Sequence, residues 1–236
     1  MDIPKKEDHL LNISYDSVIF GFSGDALKIL LLEYHDTGFF ALPGGFVRKN
    51  ENLNDAVIRG VKERTGLEKL FLEQFHTFGN TSRSDAAAMK TIIKANHDSY
   101  TEDSWLFDRF ISVGYYALID YAKVSPTPDA LSDSIDWYAI DDIPPLLFEH
   151  NLIIEKAIET LRNNLNKKLM GINLLPDKFT MKALQQVHEA ILDEKLGRTA
   201  FQRKMLSLDL LERHEKQFSG KAHKAPYLYS FKSDKA

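Results

Sequence analysis

Apolar residues are not spread evenly along the chain; they come in short runs of two different periods. Val18-Ile-Phe-Gly-Phe and Leu27-Lys-Ile-Leu-Leu-Leu read as two buried strands, joined across the hairpin signal Ser23-Gly24-Asp25. Phe39-Phe-Ala-Leu is a third apolar run, stopped by Pro43-Gly44-Gly45. From Leu53 to Thr65 the period changes. Leu53, Ala56, Val57, Val61 and Arg64 fall at helical spacing, and Gly66 stands where a helix C-cap glycine belongs. Leu70 to Phe75 and Phe110 to Ile119 predict further strands, and Trp137-Tyr-Ala-Ile one more short run before the acidic turn Asp141-Asp142-Ile143-Pro144. Ile154, Ala157, Ile158, Leu161 and Leu165 make an apolar stripe that predicts an amphipathic helix over about 150–168. The long polar segment Thr81 to Asp108 reads as a lid loop, with Tyr100, Trp105, Phe107 and Phe110 as anchors.

Beyond Gly171-Ile-Asn-Leu-Leu-Pro, taken as a linker, the pattern is different. Thr180 is a plausible N-cap for a helix whose apolar face is Met181, Leu184, Val187, Ile191 and Leu192. Gly197 ends a turn, and Arg198 to Leu208 predicts a second helix with Phe201, Met205 and Leu208 facing inward. Leu210 to Arg213 and Tyr227 to Phe231 alternate as strands around a basic, turn-rich stretch, Gln217 to Pro226. Helix, turn, helix and basic hairpin together describe a winged helix-turn-helix. The expected division is therefore an α/β domain over 1–168 and a winged helix-turn-helix over 169–236.

Composition narrows the function classes. With 236 residues and 44% hydrophobic content the chain can bury two modest cores, and no apolar run reaches the ~20 residues of a membrane span. The absence of cysteine excludes disulfides, thiolate zinc sites and cysteine nucleophiles. The charged N-terminus lacks an apolar signal core, so the expected address is cytoplasmic, with no membrane partner. The net charge of -4 hides an asymmetry, because acidic residues dominate 1–169 and Lys and Arg dominate 170–236. A basic tail on an acidic body points to a polyanionic partner, or to a merely solvated lysine-rich surface.

The most specific pattern is Gly45-x5-Glu51-x7-Arg59-Gly60-Val61-Lys62-Glu63-Arg64-Thr65-Gly66-Leu67. It resembles the Nudix box, G-x5-E-x7-R-E-U-x-E-E-x-G-U with U aliphatic, and Leu42-Pro43-Gly44 before it is also usual there. The resemblance implies a Nudix fold, a mixed sheet sandwiched between helices, here followed by the winged helix-turn-helix. It also implies three glutamates on one helical face holding a divalent metal against a pyrophosphate. This chain has Gly60, Glu63 and Arg64 at those positions. Two carboxylates are lost and one is replaced by a cation, so the expectation is no catalytic residue, no metal and no cofactor. Arg64 could pair with Glu63 or with a ligand phosphate. Asp55, Glu102, Asp103 and Asp108 are the carboxylates that could rescue an alternative, Mg²⁺-dependent hydrolysis of ADP-ribose or a nucleotide sugar.

The tail is similar to the winged helix of the Nudix-related transcriptional regulators, the NrtR family with its sugar-responsive AraR-type branch. Membership implies a homodimer on a double-stranded operator with dyad symmetry, released by an effector, ADP-ribose in one branch and pentoses in the other. Phe20-Gly-Phe, Gly44-Gly-Phe-Val and Gly171-Ile-Asn-Leu-Leu-Pro favour the sugar branch. On the second helix Arg198, Thr199, Gln202 and Arg203 are the candidate base readers and Lys204 a phosphate contact, with Lys221, His223 and Lys224 gripping from the wing. Arg48, Glu63, Arg64, Arg83, Tyr115 and Tyr116 are the effector candidates. His76, His97, His150 and His188 lack metal-ligand spacing and are assigned to surface or core. A tail that binds protein instead of DNA is the remaining reading, and a weak salt dependence of binding would mark it.

Overall fold

The computed structural model describes residues 4–23, 26–68, 71–96, 104–165, 174–217 and 225–232. Its first part contains β1 (His9–Ser23), β2 (Ala26–Tyr34), β3 (Phe39–Ala41), β4 (Gly44–Arg48), α1 (Leu53–Thr65), β5 (Phe71–Phe78), α2 (Ala86–Asn96), β6 (Ile111–Ile119), β7 (Ser132–Ala139) and α3 (His150–Asn164). The strands make one mixed sheet in the order β3-β2-β1-β6-β5, with β4 added to β1 and β7 to β2. β1 is long enough to serve two partners on one side, β4 near its start (Ser14 opposite Phe46) and β2 near its end (Phe20 opposite Ile29). On its other side it runs parallel to β6 from Ile13–Ile111 to Gly21–Ile119.

Both faces of the central strands are covered, which is why their sequences are apolar without alternation. Val18, Phe20, Ile29, Leu31, Tyr116 and Leu118 meet Ile153, Ile154, Ala157 and Leu161 of α3. Their neighbours Ile19, Leu30, Leu32, Tyr115 and Ala117 point the other way, onto Ala56, Val57 and Val61 of α1. Gly66 ends α1 at φ 74° and donates its N–H to Lys62 O at 2.8 Å, as a left-handed cap should.

Two expectations are corrected. The segment Thr81 to Asp108 is not a bare loop. Ala86-Ala-Ala-Met-Lys-Thr-Ile-Ile forms α2, because alanines carry high helix propensity and Ala88, Ile92 and Ile93 find a common buried side. Trp105 and Leu106 follow in a buried 3-10 turn; the proposed anchor Tyr100 lies outside the described residues. The linker expected from Gly171 to Pro176 is not free either. Leu174 and Leu175 are buried in the same apolar cluster as Val18 and Val187, while 171–173 lie outside the described residues.

The second part holds β8 (Phe179–Thr180), α4 (Met181–Leu192), α5 (Arg198–Ser207), β9 (Leu211–Lys216) and β10 (Tyr227–Phe231). Its strands pair in the order β8-β10-β9. Thr180 caps α4, its hydroxyl accepting the Ala183 N–H at 3.1 Å. α4 packs on β2 and α3, and Arg162 Nε of α3 donates to the Ile191 carbonyl of α4 at 2.7 Å. Phe201 and Met205 of α5 are buried as expected, but Leu208 is 43% exposed, because α5 has ended at Ser207 and the chain turns away.

Between the two helices sits His188, buried, with its ring centroid 5.0 Å from that of Phe201 and Nδ1 2.9 Å from Leu184 O. Burial, with the Lys204 charge adding, pushes its pKa below the ordinary 6.5. The unfolded chain therefore binds a proton that the folded form refuses, and His188 removes stability as pH falls below 6.5. Thermal unfolding followed between pH 7.5 and 5 should show a falling midpoint, and His188→Leu should flatten that decline.

Candidate functional site

The loop before α1 is tied to the helix by one ion pair. Arg59 donates from Nε and Nη2 to the two oxygens of Glu51 at 2.8 and 3.0 Å, and from Nη2 to Phe46 O at 3.2 Å. That bond, more than the burial opposing it, holds the Glu51 carboxyl below its usual range. Glu63 lies one turn further along α1, with an oxygen 3.6 Å from Arg59 Nη1.

Beside Glu63 the helix surface is occupied by a tyrosine. A Cβ placed on Gly60 would fall on the Tyr15 hydroxyl, and one on Gly45 would lie 2.5 Å from it. The ring of Tyr15 is thus wedged between β4 and α1, 2% exposed. Burial pushes its phenol up to about 12 against the pull of Arg59, so a neutral hydroxyl fills this place at any physiological pH. Arg64 turns away from Glu63, as adjacent helical residues do, and gives Nη2 to Asp129 Oδ2 at 2.8 Å. The expected Arg64–Glu63 pair is therefore replaced by Arg64–Asp129. Arg64 Nε is buried without a protein partner.

The opposite wall is built on Asp16 of β1. Its Oδ2 accepts from Arg83 Nη2 at 3.0 Å and from the Ser112 hydroxyl at 2.6 Å, and its Oδ1 lies 3.3 Å from His150 Nε2. His150 Nδ1 accepts the Leu42 N–H at 2.9 Å, which leaves the proton on Nε2, facing Asp16. Burial alone would raise the Asp16 pKa; His150, Arg83 and Ser112 outweigh it and hold the carboxyl well below its ordinary value. Arg83 Nη1 has no partner although the residue is only 6% exposed.

These walls enclose a cavity of about 1010 Å³, which Arg48, Glu63, Arg64, Arg83, Tyr15, Asp16, Asp129 and His150 all line. Aromatic rings form part of its lining. His9, Phe46, Phe107 and Phe110 are among the lining residues, and the Trp105 ring packs on Phe46 at 4.9 Å and on Phe110 at 5.6 Å between centroids. Phe148 reaches the cavity from the two residues before α3, Phe148 and Glu149, both held at positive φ (57° and 58°). Glu149 accepts the Ser82 hydroxyl at 2.7 Å, next to Arg83.

In the second part of the chain Arg198, Thr199, Arg203 and Lys204 are exposed on α5, and Gln202 is half-buried. Lys221, His223 and Lys224 lie outside the described residues. On the hairpin, Tyr227 is flanked by two cations, Arg213 at 4.7 Å and Lys216 at 5.1 Å from its ring centre.

Residues 13–161 match the NUDIX domain, and 171–231 match the NrtR DNA-binding winged helix domain. The chain belongs to the Nudix family. Its second part is a DNA-binding winged helix of the NrtR type. It is 28% identical over 207 residues to the ADPR responsive transcriptional repressor NtrR of Acinetobacter baylyi, covering 85% of this chain and 74% of that one. Its fold is similar to the crystal structure of Shewanella oneidensis NrtR, with TM-score 0.73, 27% identity and 95% of each chain covered. The same protein complexed with a 27mer DNA gives TM-score 0.72 and 28% identity over 94% of each chain.

Within this Nudix domain the box residues Gly45, Glu51, Arg59, Gly60, Glu63 and Arg64 come together as their spacing implied, but two other assignments do not reach the cavity. Tyr115 and Tyr116 are 2% and 0% exposed on opposite faces of β6, a central strand with no open side. Their hydroxyls donate to Asn54 Oδ1 at 2.6 Å and Glu73 Oε2 at 3.0 Å instead. His150, assigned only to surface or core, is a cavity residue. Of the four rescue carboxylates, Asp108 lines the cavity, Asp55 bonds Asn52 outside it, and Glu102 and Asp103 lie outside the described residues. Asp16 had a readable signal, an acid inside an apolar strand. Tyr15, Asp129 and the Arg213–Tyr227–Lys216 stack had none.

Proposed function

We propose that this Nudix protein is a ligand-responsive transcriptional regulator, in which the cavity senses an effector without hydrolysing it and α5 with its wing reads an operator. The observation that carries the reading is α3. It starts in the cavity at His150, against Asp16, and its far end holds α4 through Arg162 and Ile191. An effector that binds one arrangement of His150 and Phe148 better than another shifts the helix on which the DNA-binding part sits. Two strained residues at the start of α3 suit such a two-state element.

A divalent metal does not fit the residues present. Of the three box carboxylates only Glu63 remains, and it is engaged with Arg59; the Tyr15 hydroxyl covers Gly60, and Arg64 is a cation paired with Asp129. This metal-free reading assigns no catalytic residue and no cofactor. Asp108 on the cavity wall is the one observation favouring the alternative, a Mg²⁺-dependent hydrolase of ADP-ribose or a nucleotide sugar. Release of AMP or ribose phosphate that vanishes in Asp108→Asn would establish that alternative.

An ADP-ribose-like effector suits the cavity better than a pentose. Its 1010 Å³ lies at the upper end of the ~300–1,000 Å³ range of ligand pockets, and both aromatic rings and arginines line it. Similarity to a repressor described as ADPR responsive supports the same choice. The pentose reading rests on the strand and linker motifs. We assign the protein to the cytoplasm as a homodimer on a dyad operator, with sensing and reading parts divided near residue 168; among the described residues no helix is long and apolar enough to cross a membrane.

Fluorescence anisotropy on the gene's own upstream DNA against a scrambled duplex tests the DNA reading. We expect a preference of about 1000-fold. Arg203→Ala should lower it by about 10-fold or more, since a bidentate base contact discriminates by that much. Arg213→Ala should weaken binding to both duplexes and flatten the salt dependence by about one phosphate. Equal, weak binding to both duplexes would sink the regulator reading.

A further inference from the structure

We infer that Ser82 and Glu149 are positioning residues, which clamp the turn before α2 onto the start of α3 and make the segment from Asn80 to Asp108 a second input to that helix. The inference rests on the regulator reading above and names a part that carries its signal.

The segment has a small core of its own. Ile93, Trp105 and Leu106 are buried together, with Met89 and Phe107 packed beside them, apart from the two clusters that hold the sheet. Its two ends are tied at the neck, where Arg109 donates to Gly79 O and Asn12 donates to Arg109 O. Through Arg83, Asp85, Met89 and Phe107 it also forms a wall of the cavity. It leans on β4 through the Trp105 and Phe46 rings, and it meets α3 through the 3-10 turn Thr81–Arg83.

Two adjacent residues of that turn grip two adjacent residues of the α3 start. The Ser82 hydroxyl donates to Glu149 Oε1 at 2.7 Å, and Asn80 Nδ2 lies 3.4 Å from Oε2. Arg83 holds Asp16, whose other oxygen is 3.3 Å from His150 Nε2. Glu149 is the N-cap residue of α3 and stands at φ 58°, directly after Phe148 at φ 57°. Two consecutive non-glycine residues in the left-handed region are strained, and such backbone persists only where its surroundings hold it. The bond from Ser82 holds the side chain of the strained residue itself. The Glu149 carbonyl accepts the Leu152 and Ile153 N–H groups at 3.0 and 3.2 Å, so relaxation of Glu149 opens the first turn of α3. At its far end α3 holds α4 through Arg162. Cavity contents that move the segment therefore act on α3 through Ser82, beside any direct contact with His150.

Hydrogen exchange on the full chain, free of ligand, reads the clamp. Ser82 is exposed, so Ser82→Ala leaves both cores intact. The Leu152 and Ile153 amides should exchange about 5-fold faster or more in this variant, the loss of one hydrogen bond to a carboxylate. The Leu161 amide should keep its rate, and Ser82→Thr should restore the protection. Transmission is read as the ratio of operator affinities without and with ligand, measured with ADP-ribose and in parallel with arabinose. For the ligand that releases the duplex, the ratio should fall by about 3-fold or more in Ser82→Ala and return in Ser82→Thr. A merely structural role would move the melting midpoint and leave this ratio alone. Unchanged exchange in Ser82→Ala overturns the clamp, and faster exchange with an unchanged ratio overturns its positioning role. An operator complex of the unmodified protein that neither ligand disturbs removes the regulator reading instead, and exchange then decides the clamp by itself.

Discussion

Asp16→Ala is expected to destabilise the protein by about 3–5 kcal/mol, the cost of removing one partner of a buried ion pair. Arg83 would be left with its charge inside the molecule and, with Nη1 already unpartnered, no acceptor in reach on that side. Ser112 and His150 lose their acceptor in the same step. Native domains are stable by only ~5–15 kcal/mol, so this change removes about a fifth or more of the margin. Urea unfolding should show the midpoint shifted with an unchanged slope. The pH dependence has a definite sign. The Asp16 pKa is held below its ordinary 3.8 in the folded protein, so its contribution is complete above that value and is lost as pH falls through the folded one. Asp16→Asn should therefore flatten acid unfolding below pH 3.8 while costing less than alanine.

Gly60→Ala should destabilise too, by about 1–3 kcal/mol, the usual cost of overpacking. The sign is the informative part, because alanine in a helix interior is ordinarily better than glycine by about 1 kcal/mol. Here the added carbon meets the Tyr15 hydroxyl, with the ring carbon bearing it 3.1 Å away. In a Tyr15→Leu background the same Gly60→Ala change should become neutral or stabilising. Thermal unfolding of the four proteins of this cycle measures the coupling directly. Additive effects of the two substitutions would mean that the glycine is not there to admit the tyrosine.

The fold was legible wherever burial and period agree. Val18 to Phe22, Leu27 to Leu32 and Phe110 to Ile119 read as strands because both faces of the central sheet are covered. Leu53 to Gly66 read as a helix with its cap, and Thr180 as the start of α4. α2 was missed because Thr81 to Asp108 is polar on average, and three alanines in a row carry propensity but little hydrophobic signal. The cavity was half legible. Gly45, Glu51, Arg59, Glu63 and Arg64 are joined by fixed spacing on one strand, the loop after it and one helix. Asp16, Arg83, Asp129 and His150 come from four separate segments, and only the folded chain brings Arg83 and His150 to Asp16 and Asp129 to Arg64. Tyr115 and Tyr116 illustrate the converse. Two adjacent aromatics in a strand suggest one inward and one toward a ligand, but a strand covered on both sides buries the two alike.

We propose that ligand in the cavity controls the grip of α5 on DNA. The most direct test is the anisotropy of a labelled upstream duplex in complex with the protein, titrated with ADP-ribose in EDTA and, in parallel, with arabinose and xylose. ADP-ribose should release the duplex without being hydrolysed, and the sugars at equal concentration should leave the complex intact. A complex that no ligand disturbs, or release that occurs only with Mg²⁺ and consumption of ADP-ribose, would contradict the proposal.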